Sequence, residues 1–333
     1  MSTDLKRRDV NTNVSHEVLP YETERGFLSG AIPFLRTGAE AGDAVLAISG
    51  HVNLGMLREC LGPAASEVDF IDAAAFYHHP ARTLARCVAF ADQLAAQGRR
   101  LRLLGEPVWH GRTPSEVAEW QRVEAIVNVA FIGTRASIMC PYDLRSLPLA
   151  ILDSARRTHP VTVDGGERRA NPGYMDPWSY TSIIDRRPLP PPPTSAESLR
   201  IDAADLYWLR AFVAEYGRDV ALVDSAMQHL LMSVTEVATN AIRHGTPPIM
   251  LRLWTEPGDG PVDPRGDPPS GMLVCEISDG GHWQPAPGFS FVPPGPSAPS
   301  RFGLWAVRLL CSRVQVRTGR TGTTVRLHLP AAA

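Results

Sequence analysis

Eight consecutive residues, Arg186-Arg187-Pro188-Leu189-Pro190-Pro191-Pro192-Pro193, constrain this chain more than any other stretch. A proline run fixes φ and removes backbone donors, so it continues neither a helix nor a central strand. It reads as a semi-rigid spacer and divides the 333 residues into two parts, each long enough for a core of its own. The sequence changes character across it. Before it, short apolar runs alternate with helical patterns: Ala44–Ile48, Val68–Ile71, Leu101–Leu104 and Ser137–Cys140 read as strands. Gly55–Cys60, Pro80–Gln97 and Pro114–Ala130 read as the helices between them. That alternation predicts a parallel α/β sheet. After it come two long helical patterns, near Asp202–Tyr216 and Val220–His244, then strands at Ile249–Trp254 and Met272–Ser278. A helix at Gly303–Cys311 and strands at Val314–Thr318 and Thr323–Leu329 follow, which predicts an α+β two-layer sandwich. The Pro/Gly-rich stretches Pro257–Gly271 and Pro285–Pro299 read as long loops.

Composition narrows the function classes. Apolar residues make up 44% and charged residues 20%, which excludes a globally disordered chain. A net charge of −2 argues against a broad nucleic-acid surface, so no direct nucleic-acid contact is expected. No apolar run approaches the ~18 residues of a spanning helix, and Met1–Val10 is too polar for a secretory signal. A cytoplasmic protein without membrane contact is expected. The five cysteines, Cys60, Cys87, Cys140, Cys275 and Cys311, are scattered without CxxC spacing, so neither a disulfide framework nor a zinc ribbon is expected.

Four pieces of the second part carry chemistry. In Thr235-Glu-Val-Ala-Thr-Asn-Ala-Ile-Arg-His-Gly245, Glu236 and Asn240 stand four apart and share one helix face. Met272–Ser278 runs into Asp279-Gly280-Gly281, a carboxylate at a strand end beside bare backbone that a flat ligand can approach. Phe302-Gly303-Leu304-Trp305 opens a helix whose first N–H groups suit phosphate. Gly322-Thr323-Thr324 leads into the last strand. Each alone has an ordinary reading: a solvated stripe, an Asp-Gly turn, a helix start. Their order and context are what is specific.

Together they resemble the Bergerat-fold (GHKL, or HATPase) domain of gyrases and histidine kinases, nearest to its anti-sigma-factor serine/threonine kinase branch, over about residues 198–330. The resemblance implies ATP and Mg²⁺ as cofactors. It implies that Glu236 acts as the catalytic base toward a serine hydroxyl, and that Asn240 ligates Mg²⁺. It places Asp279 on the adenine amino group, Gly281 at the adenine pocket, Thr323 behind Asp279 through a water, and Gly303 and Leu304 under the phosphates. Two departures stand out. His282-Trp283 follows Gly281 where a further glycine is usual, and Arg301-Phe302 stands where Gly-x precedes Gly303-Leu304. Arg301 either pairs with phosphate oxygens or blocks them. The implied function is a regulator that sequesters a sigma factor, phosphorylates a serine of a STAS-type anti-anti-sigma partner, or both, often as a homodimer. The altered glycine boxes leave open a non-catalytic binding scaffold. A histidine-kinase-like ATPase is the other alternative, disfavoured because no phosphoacceptor helix pair precedes the domain.

In the first part, His16-Glu-Val-Leu-Pro-Tyr21, an acidic helix with Gly38 and Gly42, Gly105-Glu-Pro-Val-Trp-His-Gly-Arg112, Cys140-Pro-Tyr-Asp143 and Asn171-Pro172-x-Tyr174 form a second set. It resembles the MEDS sensory domain, commonly fused to such ATPases in actinobacteria and related to RecA-like folds. The domains expected are a flexible stretch 1–15, a sensory domain 16–185, a linker 186–197 and the ATPase domain 198–330. The sensory domain would receive an unknown signal or ligand. No G-x-x-x-x-G-K-[ST] follows Ala44–Ile48, so a second ATPase is not expected. Glu106, and Glu124 with Asn128, are candidates to line a pocket. Cys140 and His16 read as unrelated residues, and His78-His79 as an exposed pair without further metal ligands.

Overall fold

The computed structural model describes residues 14–202, 206–257, 271–283, 290–293 and 302–331. The chain divides into two compact units. One comprises residues up to Trp109 together with Gln121–Tyr180, and the other His110–Trp120 together with Thr181 onward.

The first unit is built on β1 (Ser15–Tyr21), β2 (Ala44–Ser49), β3 (Val68–Asp72), β4 (Leu101–Gly105), β5 (Ala136–Asp143), β6 (Val161–Asp164) and β7 (Glu167–Ala170). Its helices are α1 (Glu24–Glu40), α2 (His51–Leu61), α3 (Ala73–Phe76), α4 (Pro80–Ala96), α5 (Pro114–Ala130), α6 (Leu149–Thr158) and α7 (Pro177–Asp185); the first turns of α5 and the end of α7 count with the second unit. The strand order is β3-β2-β4-β5-β1-β6-β7. Every pairing from β3 to β6 is parallel, and β7 adds one antiparallel edge. Parallel strands need helical crossovers, which is why helices separate them in sequence. Local chemistry sets the helix starts. Thr23 caps α1 by accepting from the Gly26 N–H at 3.0 Å. His79 caps α4 ahead of Pro80, accepting from Arg82 N at 3.2 Å, so one member of the His78-His79 pair serves a helix end.

The structure adds strands that the sequence did not suggest, β6, β7 and β8 among them. The first strand among the described residues is β1 rather than Ala44–Ile48, and it lies inside the sheet, between β5 and β6. The residues after it, Glu22-Thr23, are no phosphate loop either; Lys6 is the chain's sole lysine. Strand β1 is masked in sequence because two of its buried residues, His16 and Glu17, are polar.

The second unit carries β8 (Glu197–Ile201), α8 (Leu206–Asp219), α9 (Asp224–His244), β9 (Ile249–Glu256), β10 (Met272–Asp279), α10 (Phe302–Leu310), β11 (Arg313–Gly319) and β12 (Gly322–Pro330). The strands form one antiparallel sheet in the order β11-β12-β10-β9-β8. Leu251, Leu253, Leu273, Cys275, Ile277, Val325 and Leu327 face the helices and pack with Leu209, Val213, Leu230, Val234, Val237 and Leu304. The alternate residues Glu276, Arg326 and His328 are also buried, on the opposite face. There Arg326 donates to Glu276 Oε2 through Nε at 3.1 Å and lies over the Trp254 ring. Its Nη2 donates to the carbonyl of Pro190 at 2.9 Å, and Arg317 Nε donates to that of Arg187 at 2.6 Å. The proline segment is thus hydrogen-bonded to the sheet before β8 begins.

Candidate functional site

Helix α9 buries Leu230, Val234, Val237 and Ala241 along one stripe, as spacings of three and four dictate. Glu236 and Asn240 lie on the flank of that stripe, half-buried. Asn240 Nδ2 donates to Glu236 Oε1 at 3.1 Å, which leaves the amide oxygen for a cation. Gly245 ends the helix, its N–H bonded to Ala241 O at 2.8 Å. Gly245 also lies so near Asp279 that a β-carbon there would meet Asp279 Oδ1 at 2.7 Å.

Asp279 closes β10 opposite Thr323 of β12. Its Oδ1 accepts from Gly281 N at 2.6 Å and Thr246 N at 3.3 Å, so the backbone fixes the carboxylate. Thr323 Oγ1 donates to the carbonyl of Gly281 at 2.9 Å. Thr323 thereby ties the glycine loop beside Asp279 to β12. His282 Nδ1 donates to Gly319 O at 3.1 Å and fastens the same loop to the β11–β12 turn.

These groups meet in a cavity of about 410 Å³, lined by Glu236, Asn240, Asp279, Gly281, Leu304 and Thr323. That volume falls in the range of small-molecule sites. His244 and Trp283 also line it. Sequence reasoning met Trp283 only as a departure after Gly281 and His244 only as part of the Thr235–Gly245 motif, and gave neither a place in the site; His244 follows Asn240 by four, so the spacing signal was present. Gly303 lies against the Glu236 carboxylate, because a β-carbon at 303 would fall inside it. Arg301 and most of the two Pro/Gly-rich loops lie outside the described residues.

In the first unit Glu106, at the end of β4, accepts from Tyr21 at 2.8 Å, Asn53 at 2.9 Å, and Ser49. Burial and this carboxylate push the Tyr21 phenol well up. Cys140 and His16, read as unrelated, are neighbours: Sγ lies 3.5 Å from Nε2. The parallel register of β1 and β5 joins them across 124 positions. Glu124 and Asn128 stand beside the same histidine.

Two family models match the chain. Residues 15–160 match MEDS, the methanogen/methylotroph DcmR sensory domain, and residues 199–329 match the histidine kinase-like ATPase domain. The chain therefore joins a MEDS domain to a C-terminal histidine kinase-like ATPase domain, an α/β unit followed by a Bergerat-type unit. No curated protein matches it. Two solved structures are similar at low identity. The RsbU and RsbW domains of Rv1364c from Mycobacterium tuberculosis share 18% identity over 42% of this chain and 34% of that one, with a TM-score of 0.30. The histidine kinase domain of the Erythrobacter litoralis EL346 blue-light activated histidine kinase shares 14% over 65% of this chain and 92% of that one, with a TM-score of 0.25. Among the described residues no helix is long and apolar enough to cross a membrane.

Proposed function

We propose that the second unit binds Mg-ATP in the α9–β10–β12 cavity and acts as an anti-sigma-type protein serine/threonine kinase. Its partners would be a sigma factor, which it sequesters, and a STAS-type protein whose serine it phosphorylates, under control of a signal received by residues 16–185. The observation that supports this is the meeting of Glu236, Asn240, Asp279, Gly281 and Thr323 at one cavity from three separate elements. The adenine amino group would donate to the Asp279 oxygen not already taken by Gly281 and Thr246. Asn240 would hold Mg²⁺ through Oδ1, and the cation would offset charge on the phosphates. Glu236 would take the proton of a serine hydroxyl as its oxygen bonds to the γ-phosphorus and the bond to ADP breaks.

The test is calorimetry of Mg-ATP binding to the full chain and Asp279→Asn, then transfer of labelled γ-phosphate to STAS-type proteins. Saturable binding lost in Asp279→Asn, with acid-stable label on serine that Glu236→Ala abolishes, is expected. Binding without transfer would replace the kinase with a nucleotide-dependent scaffold. Acid-labile label would point to phosphohistidine, and no binding would overturn the reading.

A further inference from the structure

The interior of the first unit holds a cluster that the ATPase chemistry does not use. His16 of β1, Glu124 of α5, Cys140 of β5 and His159, just before β6, are 2%, 5%, 5% and 0% exposed. One ligand-type atom from each lies within 4.8 Å of every other. His159 Nε2 is 3.3 Å from Glu124 Oε2, Cys140 Sγ is 3.5 Å from His16 Nε2, and His16 Nε2 is 3.8 Å from Glu124 Oε2. Bonds of about 2.0–2.3 Å in a tetrahedron hold their donor atoms roughly 3.3–3.8 Å apart. The three measured separations fall in that interval.

Hydrogen bonds behind the cluster fix which nitrogen of each ring faces it. Asn128 gives its Nδ2 to the carbonyls of Ala125 at 3.1 Å and Thr158 at 2.7 Å, which turns Oδ1 to His16 Nδ1 at 3.2 Å. His159 Nδ1 faces the Ala155 carbonyl at 2.8 Å. Both partners are acceptors, so both rings carry a proton on Nδ1. Both therefore present a bare Nε2 to the cluster, the arrangement that outer partners impose on ligating histidines.

That leaves one acceptor facing another at 3.3 Å, with the Cys140 thiol as the donor beside His16. Glu124 Oε2 and His159 Nε2 are buried and without a hydrogen-bond partner. Unpaired polar atoms in a dry interior are costly, and a carboxylate aimed at a lone pair repels it. A cation at their centre removes both penalties. Two imidazoles, a carboxylate and a thiolate suit a borderline-soft divalent ion. We propose that His16, Glu124, Cys140 and His159 form a buried tetrahedral site for such a cation, zinc foremost. The competing arrangement is a bare ion pair in which Glu124 neutralises a doubly protonated His159.

The experiment uses the full chain, freed of any affinity tag and purified without chelator. Elemental analysis should find close to one zinc per chain. After removal of metal, cobalt(II) should titrate in at one equivalent, with tetrahedral d–d bands and a thiolate-to-cobalt charge-transfer band. Cys140→Ser should lose the charge-transfer band, and Glu124→Gln should keep it while binding cobalt at least ten-fold more weakly. Cys60→Ser with His78→Gln should change neither stoichiometry nor spectrum. The folded wild type taking up neither zinc nor cobalt would overturn the site in favour of the ion pair. So would a charge-transfer band that survives in folded Cys140→Ser. Should Cys140→Ser not fold, Glu124→Gln decides, and wild-type affinity there overturns the site. No readout depends on ATP, so failure here is distinct from failure of the kinase reading.

Discussion

Gly303 and Glu236 share one volume of space: a β-carbon on residue 303 would coincide with the Glu236 carboxylate. Helix α10 therefore begins against the residue proposed as catalytic base. Gly303→Ala must either displace Glu236 from Asn240 or lift α10 from the core. Overpacking of this kind costs about 1–3 kcal/mol. A lower unfolding midpoint with at least ten-fold weaker Mg-ATP binding is expected from thermal melts and calorimetry. Wild-type binding would mean that Glu236 swings aside without consequence.

Asn240 offers one amide oxygen to the cavity, since its nitrogen is committed to Glu236. Asn240→Ala should therefore bind ATP in magnesium as weakly as the wild type does in EDTA. Hydrogen bonds to charged groups are worth about 1.5–3 kcal/mol, so the loss should be roughly ten- to 150-fold. Calorimetry with and without EDTA reads this, and a variant still responsive to magnesium would remove Asn240 from the site.

Glu276 and Arg326 are paired on the face of the second sheet away from its helices, 4% and 3% exposed. Arg326→Ala leaves that carboxylate with Arg252 alone, at 3.3 Å. Removing one partner of a buried ion pair costs about 3–5 kcal/mol, and Arg252 should hold the loss to the lower end, which denaturant unfolding should register. The double change Arg326→Met with Glu276→Leu should recover most of it, because the charge then left over, Arg252, is a third exposed and still donates to Ser278 at 3.3 Å.

His328 is neutral in the fold: Arg313 Nη2 donates to its Nδ1 at 3.0 Å, and its Nε2 donates to Gln315 at 3.0 Å. Burial, then Arg313 and Arg326, hold its pKa well below the usual value. The unfolded chain titrates near 6.5, so below that pH it takes a proton that the fold refuses. His328 alone should leave stability unaffected above pH ~6.5 and lower it beneath that by about 1.4 kcal/mol per pH unit. His16 is depressed as well, chiefly by burial, so the comparison that isolates His328 is wild type against His328→Gln. Unfolding curves between pH 7.5 and 5 should show a slope about one proton smaller in the variant. Equal slopes would mean that the fold accepts the proton.

The two groups of residues differed in how far the sequence exposed them. Glu236 and Asn240 are one helical turn apart, and Asp279 sits where an apolar run meets two glycines, so local spacing sufficed. Gly303 was visible as a helix start, but its contact with Glu236 depends on how two helices pack. His159 had no signal at all: it stands before Pro160, outside any periodic pattern, and reaches Glu124 only through the sheet. Strand β1 was obscured for a related reason. His16 and Glu17 are buried polar residues, so the hydrophobic alternation that marks a strand is absent where the cluster lies. Strand β8, on an edge and largely exposed, leaves as weak a pattern.

The position of β1 also bears on how the chain is made. It leaves the ribosome well ahead of its neighbours β5 and β6, which end at Asp143 and Asp164. Val18 and Leu19 must wait for Cys140 and Pro141, 122 positions downstream, before their edges are covered. Long-range parallel pairing is slow, and an uncovered apolar strand is prone to aggregate in the interval. Nascent chains halted short of Asp164 should need chaperone protection, and yield on expression should respond to translation speed through the β5–β6 region.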